Sequence, residues 1–155
     1  METARPATID DLATIVDLAR ALRAEWRAIR GGELWEVREA RPEPLDAGFA
    51  ALLHDPEAAL IVGTIDDSVL GYGSGYVETL RDGRRLGVIE ELYVEPEARA
   101  VGVGEAIAEA LVEFCRVHRC AGIDARALPG HREAKNFFER AGFTARALIM
   151  HKPLD

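Results

Sequence analysis

The sequence predicts an α/β fold: a mixed, mostly antiparallel sheet flanked by helices on both faces. Three features carry this expectation. An amphipathic stripe lies near the N-terminus, three β-rich runs joined by short turns occupy residues 58–94, and helix and strand patterns alternate over the last third of the chain. At 155 residues there is room for one domain, spanning 1–155, and 48% hydrophobic with 30% charged residues excludes disorder over most of it.

Taken in order, Glu2 to Ala7 reads as a short edge strand, and Thr8 with Asp11 three residues later forms a capping pair that starts a helix. Leu12, Ile15, Val16, Ala19, Leu22, Trp26 and Ile29 then recur at three- and four-residue steps until Gly31-Gly32 stops the helix. Glu33 to Arg41 forms a short helical stretch. After Pro42 and Pro44, Leu45 to His54 makes another helix, ended by Asp55-Pro56. Ala58 to Ile65, Val69 to Leu80 and Leu86 to Val94 are β-rich, with Asp66-Asp67 and Asp82-Gly83 as turns, an antiparallel meander. Val103, Ile107, Ala110, Leu111, Phe114 and His118 mark an amphipathic helix, and Ile123 to Leu128 a strand. Ala134, Phe137, Phe138 and Ala141 mark a last helix capped by Gly142, and Phe143 to His151 is expected to close the chain as a strand.

Charge and composition narrow the function. With 19 Lys and Arg against 27 Asp and Glu the net charge is −8, so no global field draws the protein to nucleic acid or an anionic membrane, and any anionic ligand must be held locally. The N-terminal residues lack an apolar signal core and no apolar run approaches a membrane span, which points to a soluble, cytoplasmic protein. Cys115 and Cys120 flank His118 at a spacing poor for a disulfide or zinc, so no metal is expected.

The local anion site is written between the third strand of the meander and the next helix, in Val94-Glu95-Pro96-Glu97-Ala98-Arg99-Ala100-Val101-Gly102-Val103-Gly104. Glycines there let the first helical turn approach a ligand. The N–H groups of Val101, Gly102, Val103, Gly104, Glu105 and Ala106, the helix dipole and the charge of Arg99 suit a pyrophosphate. This turn, with Ile89-Glu90-Glu91-Leu92-Tyr93-Val94 before it, resembles the acetyl-CoA site of the GNAT superfamily of N-acetyltransferases, whose signature is Arg/Gln-x-x-Gly-x-Gly/Ala. Ala134-Lys135-Asn136-Phe137-Phe138-Glu139-Arg140-Ala141-Gly142-Phe143 is similar to that family's last helix and turn. The resemblance covers most of the chain. It implies that the backbone of Leu92, Tyr93 and Val94 grips the acyl group and pantetheine, with Lys135, His131 and Phe138 also beside the acetyl-CoA co-substrate.

Three features depart from the family pattern. Phe138 stands where the family often has a Tyr that protonates the leaving thiolate, and it belongs to the apolar stripe of its helix. His131 stands where Asn is frequent, and is either a surface residue at the start of the last helix or a contact to CoA or substrate. The tail after Phe143 has space for one strand rather than two.

Glu90 and Glu91 interrupt a strand that is otherwise apolar on both faces, and strand alternation points them to opposite sides, each needing a partner, water or a cleft. Arg81, Arg84, Arg85 and Arg126 are the expected partners. Acetyl transfer to an amine requires the ammonium to lose its proton before attack, and Glu90 at the acyl end of the strand is the candidate base. The Glu-acid-Leu-aromatic-Val pattern resembles the polyamine-acetyltransferase branch, which implies that Glu91 helps bind a cationic amine. Tyr93 is the substitute acid that sequence position recommends, and a packed aromatic otherwise. Glu25, Glu33, Glu36, Glu39, Glu43 and Asp46 make the early helical region acidic, either a wall for a cationic acceptor or an ordinary solvated face. The expected function is acetyl transfer from acetyl-CoA to a small-molecule primary amine by direct attack in a ternary complex. A homodimer is left open. The alternative is an acyl-CoA-binding regulatory module that lost catalysis, motivated by Phe138.

Overall fold

The computed structural model describes residues 1–155 and contains one five-stranded sheet in the order β1-β2-β3-β4-β5. The strands are β1 (Glu2–Pro6), β2 (Ala58–Ile65), β3 (Ser68–Thr79), β4 (Arg85–Val94) and β5 (Gly122–Ala125); all neighbours are antiparallel except β4 and β5. The helices are α1 (Leu12–Arg27), α2 (Gly32–Arg38), α3 (Leu45–Leu53), α4 (Val103–Val117) and α5 (Arg132–Arg140), with short 3-10 turns at Ile9–Asp11 and Pro96–Val101.

Strand alternation sorts the core into two layers. Leu60, Val62, Tyr72 and Tyr93 project toward Ile15, Leu18, Leu22 and Trp26 of α1, Trp35 of α2 and Leu45 and Phe49 of α3. Ala59, Ile61, Ile89 and Val94 project to the other face, against Val103, Ile107 and Leu111 of α4. Helices therefore cover both faces, as the periodicities predict. The capping pair also forms: the Thr8 N–H donates to Asp11 Oδ2 at 2.8 Å, and Arg5 donates to both Asp11 oxygens at 2.8 and 3.0 Å, tying β1 to the start of the first helix.

Two expectations fail. Residues 143–151 do not form a strand: past Phe143 the chain is irregular, and Leu148, Ile149 and Met150 are exposed. A strand exists only through its ladder, and β5, expected over 123–128, is four residues long; the tail reaches it through the Arg146–Asp124 ion pair without backbone pairing. Glu90 and Glu91 do not point to opposite sides. The β3–β4 register passes from Ser74↔Glu91 to Gly75↔Ile89, so Glu90 is the extra residue of a β-bulge and both glutamates lie on the α1 face.

Candidate active site

The same bulge sets the shape of the cleft. β5 follows β4 only from Leu86↔Gly122 to Ile89↔Ala125, after which the two strands part. On its other side β4 stays paired with β3: the Glu95 N–H donates to the Leu70 carbonyl at 2.9 Å, in register with Gly71↔Val94 and Gly73↔Leu92. Because inward and outward pairs alternate in an antiparallel ladder, Leu92 and Val94 turn their backbone N–H and C=O groups away from β3, toward the gap left by β5. The gap is a cleft of about 780 Å³ including its open mouth, walled by Ala134, Phe137 and Phe138 of α5 opposite Leu92, Tyr93 and Val94.

At one side of the cleft lies the start of α4. Gly102 has φ +90°, a left-handed conformation that glycine adopts without a Cβ penalty, and it turns the chain from the 3-10 segment into the helix. No side chain caps this N-terminus, and its first-turn amides have no helical carbonyl to bond. Gly104 faces the cleft, and a Cβ there would lie 3.2 Å from Phe137 Cε1, so the glycine lets α4 and α5 approach closely. Val101 and Glu105 are exposed beside it. Lys135 sits outside the cleft, paired with Glu139 at 3.1 Å.

Arg99 turns inward. Its Nε donates to the Val94 carbonyl at 2.8 Å, Nη2 lies 2.9 Å from Glu25, Nη1 3.4 Å from Glu133, and the guanidinium stands 5.2 Å over the Tyr93 ring. It staples α1, the end of β4 and α5 together. His131 is largely buried edge-on to Trp26, with Nε2 4.0 Å from Glu25 and Nδ1 unpartnered. Burial pushes its imidazole below the ordinary histidine value despite Glu25 and Glu133. It is therefore a wall of the cleft and not a surface residue. Burial first, and then the charge of Glu25, hold the Tyr93 phenol above its ordinary value, so it is protonated at neutral pH. Phe138 packs edge-on against Phe137 and Phe143 and has no proton to give.

The two glutamates share one partner, and it is none of the arginines the sequence suggested. Arg84 pairs with Asp82 and Arg85 with Glu57. The partner is Arg41, from the loop before α3: its Nη2 lies 2.6 Å from Glu90 Oε1 and 2.7 Å from Glu91 Oε1, and its Nε donates to Glu91 Oε1 at 3.0 Å. Tyr72 donates to Glu91 Oε2 at 2.8 Å and Ser74 to Oε1 at 2.9 Å. Glu91 is thus buried and saturated, whereas the side chain of Glu90 keeps 35% of its surface open and borders the cleft. Burial opposes the Arg41 charge, but Glu91 and Glu90 outweigh it and raise its pKa; burial also carries the Tyr72 phenol well above the ordinary value. Arg41, Tyr72 and Ser74 left no local signal, since Arg41 meets the glutamates across about 50 positions of chain.

The acidic early region is mostly internally neutralised. Arg20 and Arg23 pair with Glu43, Arg27 with Glu36, Arg38 with Glu39 and Arg99 with Glu25. Glu33 and Asp46 have no such partner, and along the cleft itself Glu90 keeps an open face.

The profile of the Acetyltransferase (GNAT) family matches residues 16–143, from α1 through the turn after α5. The chain belongs to the GNAT acetyltransferase family. A glucosamine 6-phosphate N-acetyltransferase of Trypanosoma brucei brucei is 32% identical over 65 residues, 42% of this chain and 42% of that protein, so the match spans about two fifths of the relative. Among solved structures, a glucosamine-6-phosphate N-acetyltransferase from Arabidopsis thaliana superposes with a TM-score of 0.70 at 20% identity, covering 100% of this chain and 99% of the other. A tetramutant of a Bacillus halodurans protein reaches 0.82 at 20% identity, covering 97% and 99%. These likenesses establish the GNAT fold. No helix of this GNAT chain is long and apolar enough to cross a membrane.

Proposed function

We propose that this protein transfers an acetyl group from acetyl-CoA to the primary amine of a small acceptor, by direct attack with both bound. The observation that carries the proposal is the cleft itself: the outward edge of Leu92 and Val94 and the uncapped N-terminus of α4 lie along one wall, with the half-open carboxylate of Glu90 at its end. The residues fit the co-substrate. The outward N–H and C=O of Leu92 and the outward N–H of Val94, whose carbonyl already accepts from Arg99, suit an amide-bearing pantetheine and a thioester carbonyl. The amides of Gly102 to Glu105 suit a pyrophosphate, whereas the Ala106 N–H is already bonded to the Gly102 carbonyl at 3.1 Å and Val101 belongs to the preceding 3-10 segment. Bound acetyl-CoA supplies an activated acyl group with a thiolate leaving group.

The protein's own residues would do the rest. Glu90 accepts the proton of the incoming ammonium through water, because its other oxygen is engaged by Arg41 and its open face borders the cleft. The freed amine attacks the acetyl carbonyl, whose developing negative charge is met by the outward N–H groups of β4. Collapse releases the thiolate. Tyr93 is the proton donor within the cleft, with water in its place if the phenol is dispensable. The cationic acceptor is held chiefly at the Glu90–Glu91 pair, since Glu25, Glu36, Glu39 and Glu43 are already matched by arginines. The names of the relatives support an amine acceptor: glucosamine 6-phosphate in two cases, and in a third an aminoglycoside acetyltransferase with a TM-score of 0.72 at 17% identity.

A second reading is a catalytically weak acyl-CoA-binding regulatory module, which Phe138 favours by leaving the last helix without a hydroxyl. Thiol release from acetyl-CoA across a panel of diamines, amino sugars and amino acids separates the two. Release that requires an amine, with an acetylated product by mass spectrometry, supports the transferase. Tight acetyl-CoA binding with no release from any amine supports the module.

A further inference from the structure

We infer that Arg41 is the positioning residue of this site: it binds Glu91 as a fixed anchor and, through the same Nη2, aims and charges the Glu90 carboxylate. The inference rests on the transferase reading for its catalytic meaning. Its structural content stands separately.

The geometry is specific to arginine. Three donor contacts converge on two carboxylates from one guanidinium, Nε and Nη2 on Glu91 and Nη2 on Glu90, and a lysine ammonium cannot reproduce that planar fork. The surroundings are shaped to receive it. The guanidinium lies 4.6 Å from the centroid of the Phe49 ring on α3, and the adjacent Gly48 leaves the channel for its stem: a Cβ there would stand 3.3 Å from Arg41 Cδ. Arg23 holds the backbone by donating to the Arg41 carbonyl. Tyr72 and Ser74 then occupy the remaining acceptor capacity of Glu91, so that only Glu90 is left with an open face.

The charge balance follows. Two carboxylates against one guanidinium leave a single uncompensated negative charge, located at the partly open member, which matches one ammonium. Without Arg41, Glu90 would face Glu91 with no cation between them. The other groups around Glu90 are Tyr76, whose phenol feels its charge, and Arg126 across the cleft. Neither is within the hydrogen-bonded cluster, so Arg41 is the charged group that touches Glu90.

Opposite substitutions should therefore move the proton affinity of Glu90 in opposite directions. The experiment follows the side-chain carboxylates of ¹³C-labelled full-length protein by NMR through a pH titration, assigning Glu90 from the Glu90→Gln variant, in wild type, Arg41→Gln, Arg41→Lys and Glu91→Gln. Arg41→Gln should raise the Glu90 midpoint by about one pH unit or more, Glu91→Gln should lower it, and Arg41→Lys should fall between wild type and Arg41→Gln. The acid limb of kcat/KM with an accepted amine should move the same way, while acetyl-CoA affinity stays within about two-fold of wild type. Should Arg41→Gln fail to fold, Arg41→Lys and Glu91→Gln still supply the two directions. A Glu90 midpoint that is the same in all folded variants overturns the assignment. Absence of turnover in wild type with every amine would overturn the transferase reading alone, because the titration decides the role of Arg41 without it.

Discussion

At the scale of the residue, the site divides two acidic side chains that are adjacent in sequence into different tasks. Glu91 is spent on Arg41, Tyr72 and Ser74, and Glu90 retains an open face, so only Glu90 is placed to take a proton from an acceptor. Glu90→Gln is expected to lower turnover about 10²-fold near neutral pH while sparing acetyl-CoA binding, and the deficit should shrink in alkaline buffer, where solvent deprotonates the amine. Steady-state rates from neutral to alkaline pH, with calorimetry for the cofactor, check this; a deficit of constant size would remove Glu90 as base. The acid is tested by Tyr93→Phe and Phe138→Tyr, alone and together. If the two positions serve one proton-delivery site, their effects on turnover should be non-additive, and Phe138→Tyr should recover part of what Tyr93→Phe loses. A Tyr93→Phe enzyme with wild-type turnover would leave water as the donor.

At the scale of the element, the glycine turn brings α4 against α5, distant in the chain, and the capping pair joins β1 to the helix that follows it. Gly104→Val would thrust a branched side chain at Phe137, whose ring already lies 3.2 Å from the position of a Cβ, and would narrow the approach to the first turn of α4. Acetyl-CoA affinity measured by calorimetry should fall at least ten-fold; an unchanged affinity would place the cofactor elsewhere. Asp11 illustrates stability in the same terms. Hydrogen bonds from Arg5 above all, and then from Thr8, hold its carboxyl below the ordinary carboxylate range despite burial. A carboxyl with a depressed folded-state pKa adds stability in full above its unfolded value of 3.8, and that contribution is lost as pH falls through the lower folded value. Asp11→Asn should thus cost about 1 kcal/mol near neutral pH, the partial exposure of Arg5 limiting the effect, and the difference from wild type should vanish in strong acid. Denaturant melts at several pH values give the comparison directly.

At the scale of the whole molecule, what was legible in sequence was what repeats locally. The three- and four-residue stripe of α1, the β-rich runs of β2 and β3 bounded by turn residues and the Gly102–Gly104 turn each declare themselves within about a dozen residues, and the element order of the family follows from them. The bulge at Glu90 did not, because inserting one residue changes no local pattern and only the register against Ser74 and Gly75 reveals it. Arg41 escaped for a related reason: its identity as partner depends on how the α2–α3 loop crosses the sheet, and the nearer arginines have nearer acids. The tail misled because it carries the apolar Leu148-Ile149-Met150, whereas strand formation also needs an edge long enough to pair with, and β5 offers four residues. Of these three, the bulge borders the cleft directly through Glu90, and it is there that an amine, an acetyl group and a base are proposed to meet. The most direct test is an initial-velocity study in which acetyl-CoA and an accepted amine are both varied, with the intact mass of the protein followed after acetyl-CoA alone. Direct attack predicts intersecting double-reciprocal lines and a protein mass that does not change; parallel lines with an acetylated protein would contradict it.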